Sequence, residues 1–263
     1  MKIKFYLLPV FMVIQALLDP VMVYADEVAA RTEFNNCFSK AVAGDAECQT
    51  TIGLSYFNGS GVWQDYTQAF NWLNKAAEQN NAVAQFSLGN AYLSGHGVWQ
   101  DYNLAVAWFR KAADQGNARA QNNLGYCYDT GICQLKDPFL AAKWYRKAAD
   151  QGLAPAQFNL AEKYKEGLGV EYDPAQSLVW YRKAAMQGHI FSQNRLAVAY
   201  ATGQGVEENL FNGYFFATLA AGRGDKASIK LRDQYAKTLS TDEQDEAKKL
   251  VNDWKRGTEF PLR

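Results

Sequence analysis

The chain is poor in the residues that most catalysis uses. His96 and His189 are its only histidines in 263 residues. No CxxC, HExxH, glycine-rich phosphate loop or Ser-x-x-Lys occurs, which removes the common redox, zinc-hydrolase, nucleotide and serine–lysine chemistries. Charge of one sign is lacking too. Lysine and arginine number 27, as do aspartate and glutamate, so no basic surplus exists to hold nucleic acid. No apolar run reaches the roughly 20 residues that span a bilayer. The nearest is Phe5 to Leu18, interrupted by Pro9 and Gln15. Both histidines fall at positions read as turns, as ordinary surface residues. Glu162, Glu166 and Glu171 lie close in sequence, but helical surfaces commonly carry such charges. The expectation is a chain with no catalytic residues, no cofactor and no metal.

The N-terminus differs in kind from the rest of the chain. Lys2 and Lys4, the apolar stretch, the Asp19-Pro20 break and Val23-Tyr24-Ala25 together read as a signal peptide, 1–25, cut after Ala25. The mature chain is then periplasmic or secreted, with no stable membrane insertion after cleavage. Export makes Cys37, Cys48, Cys127 and Cys133 disulfide candidates. Three pairings are possible. Proximity favours Cys37–Cys48 and Cys127–Cys133, against the reading that all four are small buried residues.

What is abundant is repetition. GVWQDY stands at Gly61–Tyr66 and again at Gly97–Tyr102. The same shift of 36 residues aligns Trp72, Trp108, Trp144 and Trp180, with Phe216 in a fifth copy. It also aligns Tyr56, Tyr92, Tyr128, Tyr164 and Tyr200, and the Lys-Ala-Ala that begins at Lys75, Lys111, Lys147 and Lys183. Gap-free units run 46–81, 82–117, 118–153, 154–189 and, more degenerate, 190–225. A sustained period in the thirties indicates a solenoid. Each unit reads as two helices. Helix A bears an i, i+4, i+8 stripe (Ala84, Leu88, Tyr92) and stops at Gly95. Helix B bears Ala105, Trp108, Ala112 and Ala113. Asp65, Asp101, Asp137, Asp173 and Asn209 open helix B as N-caps rather than as a calcium ladder, with Pro138 and Pro174 at the first helical position. The Arg110-Lys111, Arg146-Lys147 and Arg182-Lys183 pairs read as a solvated outer face that Asp114 and Asp150 can neutralise. Residues 26–45 read as an N-terminal capping helix and 226–263 as C-terminal capping helices, with a capping box at Thr241 and Gln244.

Leu88-Gly89, Tyr92, Gly95-His96-Gly97-Val98, Asp101, Ala105, Trp108 and Lys111-Ala112-Ala113 resemble the Sel-1-like repeat, a branch of the tetratricopeptide-like solenoids. The likeness covers 46 to about 225, and Gly131-Ile132-Cys133 departs from its Gly-x-Gly. The resemblance implies an all-α fold, a right-handed α-solenoid of antiparallel helix pairs. It implies a scaffold for a protein or peptide partner, in the bacterial envelope or outside the cell, with host interaction as an extension. It further implies that Cys37 and Cys48 face each other, and that Cys127–Cys133 would pin the atypical third loop. The concave face implied by the architecture carries Val83, Phe86, Asn90 and Leu93; then Arg119, Asn122, Tyr126 and Asp129; then Pro155, Phe158, Glu162 and Lys165. The competing class is a binder or hydrolase of cell-wall-derived peptide or glycan. Trp63 and Trp99 align with Leu135, Glu171 and Glu207, so the fold does not require them. They either cover an edge by packing on nearby tyrosines or form an aromatic contact patch.

Overall fold

The computed structural model describes residues 20–132 and 135–263; of residues 20–25 only the backbone is described. Among these residues the protein is built of thirteen helices and no strand. Two compact units make up the chain, Met1–Asp101 and Tyr102–Arg263.

The first unit holds α1 (Pro20–Val42), α2 (Ala46–Asn58), α3 (Tyr66–Glu78) and α4 (Ala82–Ser94), each packed on the next. Helix α1 starts before the expected cut after Ala25 and includes it; the apolar stretch upstream lies outside the described residues. The Cys37–Cys48 disulfide ties α1 to α2, with Cα atoms 5.0 Å apart. Ile52, Leu73, Ala76, Ala84 and Leu88 are fully buried. Small residues recur inside helix A because the partner helix comes close. A Cβ on Gly53 would lie 2.7 Å from Leu73 Cγ.

The second unit holds α5 (Tyr102–Asp114), α6 (Ala118–Thr130), α7 (Pro138–Asp150), α8 (Ala154–Glu166), α9 (Pro174–Met186), α10 (Ile190–Thr202), α11 (Leu210–Ala221), α12 (Lys226–Tyr235) and α13 (Thr241–Asp253). Neighbours pack in sequence order through α12, and α13 returns onto α11. Its core includes Leu124, Tyr145, Leu160, Leu196, Phe215 and Phe216. Each unit is thus a length of all-α helical-repeat solenoid.

Local chemistry sets the boundaries. Gly59, Gly95, Gly131, Gly167 and Gly203 close the A helices in the left-handed conformation. Asp65, Asp137, Asp173 and Asn209 accept backbone hydrogen bonds in the first turn of the B helices. A second capping position opens helix A, at Asp45, Asn81, Asn117, His189 and Asp225. His189 is therefore a half-buried cap rather than a surface turn residue: its Nδ1 accepts from the Ser192 amide at 3.3 Å. The C-terminal capping box stands at Ser240 and Glu243, one residue before the expected pair, because the serine hydroxyl, not Thr241, takes the orphaned amide.

The periodic arginines also differ from expectation. Arg110 donates to the Tyr128 hydroxyl at 2.5 Å, and Arg146 and Arg182 likewise reach Tyr164 and Tyr200. The adjacent lysines lie over the tryptophan one turn back, 4.0 Å from ring to Lys111 Nζ at Trp108. The arginines thus join one repeat to the next, while the lysines stay on the exposed face of their own helix. Glutamine, which also recurs every 36 residues, supplies a further join. Gln49, Gln85, Gln121, Gln157 and Gln193 are buried, and each amide donates to the carbonyl eight residues back, at the end of the preceding helix. Each of those carbonyls also accepts the backbone amide three residues on, so the glutamine adds a second bond that ties helix A to the preceding turn.

Candidate functional site

The A helices of the second unit, α6, α8 and α10, bring most of the expected groove residues together. On α6, Asn122 accepts from Asn159 of α8 at 3.0 Å, and Tyr126 is exposed. Asp129 is held by Lys163 of α8 at 2.5 Å. Lys163 is buried where other repeats carry Ala91, Cys127 and Ala199, and the Asp129 carboxylate is the partner that offsets the cost of burying it. The Tyr145 hydroxyl beside them is pushed up, by burial first and by the Asp129 charge second. Asp129 is committed within the fold rather than offered to a partner.

Glu162 of α8 is similarly engaged. Arg195 of α10 grips it through two nitrogens, at 2.8 and 3.3 Å, and the Tyr181 hydroxyl of α9 donates to the same carboxylate. Burial alone would push the Glu162 carboxyl up; the hydrogen bonds from Arg195 and Tyr181 outweigh it and hold the group below the usual carboxylate range. A carboxylate held ionised and triply bonded is a poor proton donor or acceptor at neutral pH. Phe158 lies between Tyr181, His189 and Phe191, with ring centroids 5.1 to 6.1 Å away, and so packs within the helix face.

Lys165 differs. It borders a cavity of about 460 Å³ with Tyr172, Tyr181, Arg195, Val198 and Gln204, between α8, α9, α10 and the loops that follow α8 and α10. Two cations, two tyrosines, an amide and an aliphatic wall converge there. That is chemistry for holding a polar, extended chain, with no nucleophile–base pair. Among the described residues no group of three His, Cys, Asp or Glu side chains could hold a metal, and no helix is long and apolar enough to cross a membrane.

In the first unit, Phe86 and Asn90 are half-buried on α4. Trp63 and Trp99 stand 95 % and 93 % exposed, which overturns packing on the neighbouring tyrosines. The tyrosine there is engaged elsewhere: the His96 ring stacks on Tyr66 at 4.5 Å. The Cys127–Cys133 pairing involves Cys133, which lies outside the described residues.

Sequence reasoning missed Lys163, Tyr181 and Arg195. For Lys163 and Arg195 the signal was a charge at a repeat position otherwise neutral; Arg195 aligns with Ser87, Asn123 and Asn159. Tyr181 aligns with Leu73, Phe109 and Tyr145, so a phenol in two of the units was its only mark.

A family model for the Sel1 repeat matches residues 46–81, 82–117, 118–153, 154–189 and 190–225. A Sel1 repeat protein from Oxalobacter formigenes is similar over 84 % of this chain and 98 % of its own, at 29 % identity and a TM-score of 0.70. A protective antigen present in uropathogenic Escherichia coli strains, displaying an SLR fold, is similar over 86 % of this chain at 29 % identity and a TM-score of 0.56. The matched part is 56 % of that antigen's chain. No curated protein matches. With all five units matched, the chain belongs to the Sel1 repeat family, whose members generally act as protein–protein interaction scaffolds.

Proposed function

We propose that this chain is an exported scaffold in the bacterial envelope or outside the cell, and that the helix-A face of its second unit holds an extended segment of a protein partner. The observation that carries this reading is the cavity beside Lys165. Its lining mixes cations, tyrosines and an aliphatic wall, and the Glu162 carboxylate is already taken up by two of the lining residues, Arg195 and Tyr181. Lys165 and Tyr172 are thereby left to meet a partner, with Tyr126 exposed on the same series of helices. Export is supported by the pattern of residues 1–25 and by the Cys37–Cys48 disulfide, since disulfides persist in oxidising compartments. Outside the cell the same face would be open to a host protein.

The test is in-cell crosslinking followed by affinity capture from envelope and medium fractions, comparing the wild type with Lys165→Glu/Tyr172→Ala. A specific protein captured by the wild type and lost from the variant, at unchanged Tm, supports the reading. Equal capture by the variant removes the cavity from it. Saturable muropeptide binding with no protein partner would replace it with the cell-wall alternative. N-terminal sequencing of the exported chain should begin at Asp26.

A further inference from the structure

Trp63 and Trp99 are held out into water by two loops of the same sequence and the same geometry. Gly59 and Gly61 have φ of 71° and 71°; Gly95 and Gly97 have 74° and 75°. In the first loop Gln64 donates to the Phe57 carbonyl at 2.8 Å, and in the second Gln100 donates to Leu93 at 2.7 Å. Both glutamines therefore fasten their loop and do not reach outward. The second glycine of each loop is pressed onto backbone. A Cβ on Gly61 would lie 2.6 Å from Arg31 N, and one on Gly97 would lie 2.0 Å from the Tyr66 carbonyl oxygen. Two indoles thus stand on loops whose backbone is held in place, one repeat apart, although the fold accepts Leu135, Glu171 and Glu207 at the same place.

We infer that this edge of the first unit is a binding site for a linear, β-1,4-linked polysaccharide, with one indole under each of two sugar units. Two observations select a linear polysaccharide. The two loops repeat each other and present the same ring, so the ligand must offer the same face at a regular interval. An extended polysaccharide does so, whereas a folded protein surface does not. Groups that bond hydroxyls also stand close by. A cavity of about 570 Å³ beside Trp63 is lined by Glu27, Arg31 and Tyr56, together with Val62 and two loop glycines. A protein hot spot needs a rim that excludes water from it. A sugar instead lays its CH face on the ring and turns its hydroxyls toward carboxylate, guanidinium and phenol groups, which both accept and donate.

The probes are hexamers of β-1,4-linked glucose and of β-1,4-linked N-acetylglucosamine, with their disaccharides, titrated into the full chain by calorimetry. The expected result is saturable binding of at least one hexamer, about tenfold or more tighter than its disaccharide because two linked subsites act together. Trp63→Ala and Trp99→Ala should each reduce the hexamer to the disaccharide's affinity without moving Tm. The inference fails if neither hexamer binds at millimolar concentration, or if Trp63→Ala/Trp99→Ala binds as well as the wild type. It also fails if that double variant loses a protein partner while its glycan binding is unchanged, which would make the edge a protein interface.

Discussion

His189 caps α10 with a ring nitrogen, and a ring nitrogen can accept the Ser192 amide only while it is bare. A proton on Nδ1 removes the acceptor. Burial already holds this histidine below its ordinary value of 6.5. The unfolded chain therefore takes up its proton at a higher pH than the folded chain does. The contribution to stability is fully present above about 6.5 and is lost as pH falls from there toward the lowered folded value. Glu162 acts in the same sense at lower pH, below its ordinary 4.5. Asn81 and Asn117 fill the same capping position without titrating. Urea melts at pH 7.5 and 5 should show the wild type losing stability at the lower pH. His189→Asn should lose measurably less, while remaining about as stable as the wild type at pH 7.5.

At the scale of the element, the turn after helix A is fixed by two glycines with different duties. Gly95 supplies a left-handed C-cap; Gly97 lets the loop touch the start of α3. Gly116, also at positive φ, has nothing within 4 Å of an added Cβ. Gly116→Ala should cost only the conformational strain, about 1 kcal/mol. Gly97→Ala adds a collision with backbone and should cost about 3 kcal/mol or more in urea denaturation. Equal losses would mean that the loop can shift away. The turn itself was legible because Gly-x-Gly recurs with the period, and so were the aspartate caps. The cap at His189 was not. Its equivalents (Asp45, Asn81, Asn117, Leu153, Asp225) look like free variation until all but Leu153 are seen accepting an amide. The pairing of the expected groove residues was not legible. Asp129 and Glu162 were expected to face a partner, but the cations that consume them sit on the next repeat, and periodicity alone does not say which side chains meet.

At the scale of the molecule, stability in such an array is close to a sum of repeat and nearest-neighbour contributions, so a terminal element is held by one interface only. Helix α1 is such an element in its unit, and the disulfide at Cys37–Cys48 secures it to α2. Closing a loop of 11 residues restricts the unfolded chain by about 2–3 kcal/mol. Cys37→Ser/Cys48→Ser should therefore expose the α1 amides to hydrogen exchange well before those of α3. Uniform protection across both helices would show that α1 is held as firmly by packing alone.

The buried glutamines bear on how such a chain can change length. Each spans eight residues to the carbonyl it satisfies, five times in the repeats, and Gln244 repeats the same span to Ala236 beyond them. Insertion or loss of a single residue inside that span carries the buried amide away from its acceptor and strands it. Insertion of a whole unit leaves every span intact. Growth and shortening are thereby quantised, and a gene for this protein can drift in length by duplication or excision of complete 36-residue modules far more readily than by single codons.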